Sequence, residues 1–190
     1  MNKILVLDNY DSFTYNLVHA IENLTKEPVD VYRNDEIKIA EVGNYDKIVL
    51  SPGPGLPDEA GIMKELIKTY SQSKNIFGVC LGLQAITEVF GGKLINLHKV
   101  YHGINTPVKI IDKEELIFKG IPETFEGGRY HSWVADKNNF PDTLKITAVD
   151  DEGIIMAISH KQYKVRGVQF HPESILTKYG NKIIENWLKT

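Results

Sequence analysis

Residues 3–90 alternate short apolar runs with longer segments whose apolar residues recur at helical spacing, and few architectures accommodate that order. Residues 3–8, 29–33, 47–51 and 75–79 read as strands. Between them, Phe13, Leu17, Ala20, Ile21 and Leu24 form one helical face, and Ile62, Met63, Leu66, Ile67 and Tyr70 form another. Ser12 stands where its hydroxyl can cap the first of these helices. Pro57 and Asp58 suit the first turn of the second. A third helix over residues 83–90 is stopped by Gly91-Gly92. Strand–helix alternation of this kind puts parallel strands in one sheet with helices packed on its faces.

The second half changes character. Residues 93–96, 106–111, 132–135, 144–149, 154–159 and 165–170 read as strands with turn residues between them. Ile183, Ile184, Trp187 and Leu188 form a closing amphipathic helix. No linker composition and no internal repeat divides the chain. The expected architecture is one α/β domain over residues 1–190, with a central, mostly parallel mixed sheet flanked by helices.

Composition narrows the function classes. The 190 residues are 42% hydrophobic and 25% charged, enough to bury a single core. The net charge of −3, with basic residues scattered among acidic ones, gives no electrostatic footprint for nucleic acid. No run approaches a membrane-spanning length, and Ile4-Leu5-Val6-Leu7 is too short for a signal peptide. The expected location is cytoplasmic. A single cysteine excludes an intramolecular disulfide framework. A lone Cys is either a small buried core residue or a reactive thiol, and its surroundings must decide.

Those surroundings are Gly78-Val79-Cys80-Leu81-Gly82-Leu83-Gln84, where a strand hands over to a helix. A nucleophile on such a turn projects from the C-terminal edge of the sheet, where open α/β folds bind ligands. The helix N-terminus behind the sulfur favours thiolate. The N–H of Leu81 can then face a developing oxyanion. Serine hydrolases use similar turns, so the elbow alone names no reaction. Ser51-Pro52-Gly53-Pro54-Gly55 also follows a strand. It reads as a tight strand-to-helix turn, or as a stiff loop with bare glycine N–H groups suited to a second oxyanion donor.

Residues i and i+2 of an extended chain share a face, and Pro172 biases His171 towards extended geometry. In Phe170-His171-Pro172-Glu173, Glu173 can therefore accept from one ring nitrogen of His171 and leave the other free to serve a thiol. His19, His98, His102, His131 and His160 show no metal-ligand spacing with Cys, carboxylate or one another, so no metal site is expected. Asp8 and Asp11 are accounted for by a cap and a turn.

Together the elbow, the Pro-Gly loop and Phe170-His171-Pro172-Glu173-Ser174 resemble the class I, or triad, glutamine amidotransferases, over essentially the whole chain. The resemblance implies a single amidotransferase type-1 domain of flavodoxin-like fold. It implies Cys80 as nucleophile, His171 as acid and base, and Glu173 as orienter. It further implies an oxyanion hole from the N–H groups of Gly53 and Leu81. Glutamine would be held at Pro54, Gly55, Gln84 and the backbone of Ser132 and Trp133.

The opening from Leu7 to Leu17, Arg129-Tyr130-His131-Ser132 and Ser174-Ile175-Leu176-Thr177 look like the anthranilate synthase glutamine subunits and the related aminodeoxychorismate synthase subunits. The GMP synthase glutamine subunit shares the triad but differs in its opening. The resemblance implies no cofactor in this subunit and a heteromer with a chorismate-aminating component I that uses magnesium. Leu83 stands where relatives often have histidine, and Ile104 where lysine is frequent. A γ-glutamyl peptide hydrolase that needs no partner and a non-catalytic regulatory module are the rival readings.

Overall fold

The computed structural model describes residues 3–190. The first half runs β1 (Ile4–Asp8), α1 (Thr14–Thr25), β2 (Asp30–Arg33), the short α2 (Ile39–Val42), β3 (Lys47–Leu50), α3 (Met63–Tyr70), β4 (Asn75–Val79) and α4 (Leu81–Val89). The second half adds β5 (Leu94–Asn96), β6 (Ile104–Ile110), β7 (Thr124–Arg129), β8 (Trp133–Ala135), β9 (Leu144–Val149), β10 (Ile155–His160), β11 (Val165–Val168) and α5 (Gly180–Leu188).

Nine strands form one sheet in the order β2-β1-β3-β4-β11-β10-β9-β6-β7, and β5 pairs with β8 in a separate ribbon. The first five strands of that order are mutually parallel. β10 and β6 are reversed, while β9 and β7 return to the common direction. The sheet is therefore mixed and mostly parallel. Its central strands are continuously apolar because both faces are covered. Val6, Val49, Phe77, Val79 and Val168 face α1 and α5 through Leu17, Ile21, Ile183 and Trp187. Leu5, Leu7, Ile48, Leu50 and Ile76 face α3 and α4 through Met63, Leu66, Ile67 and Ile86. Successive residues of one strand thus serve opposite layers, as the pleat requires.

Three sequence expectations change. Ser12 does not cap α1, which begins at Thr14 after Phe13 with no side-chain cap. The turn is instead held by Asp11 Oδ1, which accepts from Phe13 N at 2.7 Å, and by Asp8 Oδ1, which accepts from Thr14 Oγ1 at 2.7 Å. Carboxylates take over because they reach back across the turn. Pro57 starts a short 3₁₀ turn (Pro57–Glu59), and α3 begins only at Met63. The expected strand over 165–170 stops at Val168, where Gln169 and Phe170 leave the sheet towards the site.

β7 is an addition the pattern did not indicate. Its Gly127-Gly128 pair weakens a strand signal. Tertiary packing requires both glycines. A Cβ on Gly127 would lie 3.1 Å from Phe170, and one on Gly128 would lie 3.1 Å from Ser174 Oγ. β7 therefore runs directly against the segment carrying His171, and His171 N donates to Gly128 O at 2.9 Å.

Candidate active site

Cys80 sits between β4 and α4 with φ +53° and ψ −100°, a conformation that non-glycine residues rarely adopt. Two backbone bonds impose it: Cys80 N donates to Val168 O at 2.8 Å, and Gln84 N donates to Cys80 O at 3.1 Å. Close packing does the rest. A Cβ on Gly78 would lie 2.5 Å from the Gly82 carbonyl carbon, and one on Gly82 would lie 2.7 Å from Leu50 O. The elbow is thus pressed against its own helix and against β3, and the residue bearing the thiol is only 5% exposed.

His171 enters from the neighbouring strand end. Its Nδ1 lies 2.7 Å from Glu173 Oε1, and both side chains are buried. A carboxylate at that distance makes Nδ1 the donor. Thr177 Oγ1 donates to His171 O at 2.7 Å, and the rings of Tyr130 and Phe13 stand edge-on to the imidazole at 4.8 and 5.6 Å. Nε2 is buried without a hydrogen-bond partner, as is Glu173 Oε2. Burial disfavours the imidazolium, but the Cys80 sulfur and the Glu173 carboxylate outweigh it and raise the His171 pKa. The three side chains that the sequence offers as nucleophile, base and orienter are thus all buried at this edge of the sheet.

The Pro-Gly loop is fixed from β1. Asn9 N donates to Ser51 Oγ and Asn9 Nδ2 to Ser51 O, both at 2.8 Å, while Asn34 Nδ2 donates to Asn9 Oδ1 at 3.0 Å. A Cβ on Gly53 would lie 2.6 Å from Asn9 Cβ and 2.8 Å from Leu81 Cδ2, so Gly53 and Leu81 are immediate neighbours. Leu81 is the first residue of α4, whose N–H has no intrahelical acceptor. Among the described residues, neither that N–H nor that of Gly53 donates to another protein group. Two free donors beside a strained thiol can stabilise an oxyanion.

On the far side of the sulfur, Gln84 Nε2 donates to Trp133 O at 2.8 Å and reaches Gln169 Oε1 at 3.4 Å. Gln169 Nε2 in turn approaches Cys80 Sγ at 3.5 Å. Ser132 O accepts from Leu97 N at 2.7 Å, which ties the Ser132–Trp133 backbone to the β5 side. Pro54 and Gly55 share the loop of Gly53, with Gly55 at φ +72°, but neither bonds to Gln84, Ser132 or Trp133 among the described residues. Leu83 is fully buried against Gly167 of β11, and Ile104 is partly exposed at the start of β6.

Asn9, Gln169 and Tyr130 had no expected place in the site, and Phe13, expected on the apolar face of α1, instead precedes that helix and packs on His171. Gln169 precedes the Phe170-His171 motif and Tyr130 precedes His131-Ser132, so proximity to a motif was the available signal. No group of three or more His, Cys, Asp or Glu residues able to hold a metal occurs among the described residues. Nor is any described helix long and apolar enough to cross a membrane.

A strained cysteine, a histidine held by a carboxylate and two free backbone donors make an arrangement suited to acyl transfer by a cysteine-dependent enzyme. Residues 5–190 match the family model for Glutamine amidotransferase class-I, and the chain belongs to that family. It is 46% identical to "Anthranilate synthase component 2" of Pyropia yezoensis, covering 98% of both chains. It is 44% identical to "Aminodeoxychorismate/anthranilate synthase component 2" of Bacillus subtilis, over 98% of this chain and 96% of that one. The "Bifunctional protein TrpGD" of Thermotoga maritima is 43% identical over 99% of this chain, which spans only 32% of that longer protein. The crystal structure of a glutamine amidotransferase from Thermotoga maritima superposes with a TM-score of 0.80. At 14% identity, covering 99% of this chain and 96% of that one, it supports the fold alone.

Proposed function

We propose that the chain hydrolyses glutamine to glutamate and ammonia and passes the ammonia to a chorismate-aminating partner, anthranilate synthase component I. The observation that carries the chemistry is the buried His171 Nδ1–Glu173 contact of 2.7 Å, with His171 Nε2 left unpartnered next to a strained Cys80. The Cys80 thiolate attacks the side-chain amide carbon of glutamine. The oxyanion is met by the N–H groups of Leu81 and Gly53. The His171 imidazolium protonates the departing nitrogen, the C–N bond breaks, and ammonia leaves a γ-glutamyl thioester. Neutral His171 then takes a proton from water, hydroxide adds to the thioester, and the C–S bond breaks to release glutamate. Glu173 holds the ring and stabilises its charged form throughout. Gln84, Gly55 and the Ser132–Trp133 backbone hold the substrate.

The pathway rests on relatives of nearly equal length, which bear the anthranilate synthase name at 44–46% identity. The double name of the Bacillus subtilis relative favours a second reading, a subunit shared with aminodeoxychorismate synthase. Ammonia in water protonates and diffuses away, so the site faces its partner in a heteromer. Cys80→Ser is expected to abolish glutamine-dependent amination of chorismate by the complex and to spare amination driven by ammonium salts. Persistent glutamine-driven turnover in that variant refutes the assignment, and the identity of the aminated product separates the two pathways.

A further inference from the structure

Arg129 is fully buried at the end of β7, although the mechanism does not use it. Its Nε donates to His131 Nε2 at 3.1 Å, and its Nη1 donates to Asp150 Oδ2 at 2.7 Å and Thr106 Oγ1 at 3.3 Å. The guanidinium lies 3.6 Å over the ring of Tyr101, which also stacks on His131 at 5.4 Å. Because His131 Nε2 accepts, its proton sits on Nδ1, which is buried and without a hydrogen-bond partner. Trp133 follows His131 by two residues, and Trp133 O is the acceptor for Gln84 Nε2. From there the contacts run through Gln169 to Cys80 Sγ.

The same segment is stitched along its length to residues 97–103. Leu97 N donates to Ser132 O, Tyr101 N to His131 O, and Gly103 N to Arg129 O, at 2.7, 2.9 and 3.0 Å. An isolated structural ion pair would need only Arg129 and Asp150. Here the arginine spends a second donor on a histidine and fixes its tautomer, one residue from the backbone assigned to glutamine.

We propose that Arg129 and His131 are positioning residues for glutamine. They lock the Ser132–Trp133 backbone, and with it Gln84, in the geometry that receives the substrate. This rests on the reading of Cys80 as the glutamine-attacking thiol. Neither residue touches the reacting atoms, so their loss weakens glutamine recognition and leaves the thiol itself competent.

The test uses the full chain and two alkylating agents, a glutamine-like chloroketone and iodoacetamide, with mass spectrometry at Cys80. His131→Leu removes the acceptor for Arg129, while His131→Gln keeps an acceptor near the Nε2 position. In His131→Leu the half-saturating chloroketone concentration rises about tenfold, the scale of one lost buried hydrogen bond, and the iodoacetamide rate stays within about twofold of the parent. His131→Gln restores the chloroketone value. An unchanged half-saturating concentration in His131→Leu overturns the proposal, as does an equal loss of both alkylation rates, which marks general disruption. Failure of the parent chain to take the chloroketone at Cys80 overturns the underlying reading instead. Arg129→Lys supplies a second route, since lysine cannot serve His131 and Asp150 in the same planar fork. It is expected to shift the chloroketone value in the same direction, and no shift in a folded Arg129→Lys chain counts against the proposal.

Discussion

Replacing Gly78 by alanine tests whether the elbow holds Cys80 by contact. The new Cβ would lie 2.5 Å from the Gly82 carbonyl carbon, 2.6 Å from its oxygen and 2.8 Å from Ile86 Cδ1. Ordinary contact begins at 3.4 Å, and two of the three obstructing atoms are backbone that no rotamer change can remove. β4 and α4 must therefore separate by about 1 Å at the residue between them, Cys80. Overpacking of this kind costs about 1–3 kcal/mol. In a chain of this size that corresponds to a fall in Tm of roughly 2–12 °C. A displacement near 1 Å at a reacting group costs on the order of 100-fold in rate. Chloroketone labelling of Cys80 and glutamine-dependent turnover should both fall by that order at temperatures where circular dichroism shows a folded chain. Gly91→Ala is the control, because Gly91 has φ +96° but no atom within 4 Å of the added carbon. It should cost about 1–2 kcal/mol of stability and leave labelling unchanged. If Gly78→Ala labels within threefold of the parent, the contact account of the elbow is wrong.

Glu173→Gln removes the charge that helps raise His171, so the His171 pKa should fall in an NMR titration while the Cys80 thiol stays alkylatable; an unmoved His171 titration would exclude the orienter role. Asn9→Ala deletes both side-chain bonds that fix Ser51 and Asn34, and should cost about 1–3 kcal/mol in urea unfolding and slow thioester formation. Two histidines set an acid limb of stability. Burial first, then the charges of Arg129 and His171, push His131 down to about 3, and burial lowers His160, whose Nδ1 accepts from Gln162 N and Tyr163 N. Both bind a proton less readily when folded. Their contribution is complete above the unfolded value of 6.5 and is lost as pH falls through the lowered values, down to about 3. Chemical denaturation across that window should show stability rising with pH, and His160→Asn, which keeps an acceptor but does not titrate, should flatten the slope.

Much of the site was legible because its parts are local. The Cys80 elbow follows from a strand, a small-residue turn and a helix in immediate succession. His171 and Glu173 also meet locally, but through a turn and not the extended segment expected: Ser174 N donates to His171 O at 3.2 Å, so Pro172 and Glu173 form the corner that folds the carboxylate back onto the ring. The central strands were legible because burial on both faces makes them continuously apolar. β7 was not, because Gly127 and Gly128 are required by Phe170 and Ser174, which are distant in sequence. The same holds for Gln169 at the sulfur, Asn9 on the Pro-Gly loop and Arg129 on Asp150. Each is an ordinary polar residue whose role comes from its neighbour across the fold. Ser12 shows the converse, a good local cap displaced by Asp8 and Asp11 with a better reach.

The sequence alone determined which reactive groups exist and how each is locally presented: a thiol on a turn, a histidine with its carboxylate, a loop with bare N–H groups. The tertiary structure decided that they meet. β11 pairs in parallel with β4 and sets Val168 opposite Val79. Cys80 follows Val79 directly, and His171 follows Val168 by three residues, so both emerge at the same edge of the sheet. Backbone hydrogen bonding between two strands far apart in the chain fixes that register. Periodicity within either strand carries no information about which strand lies beside it.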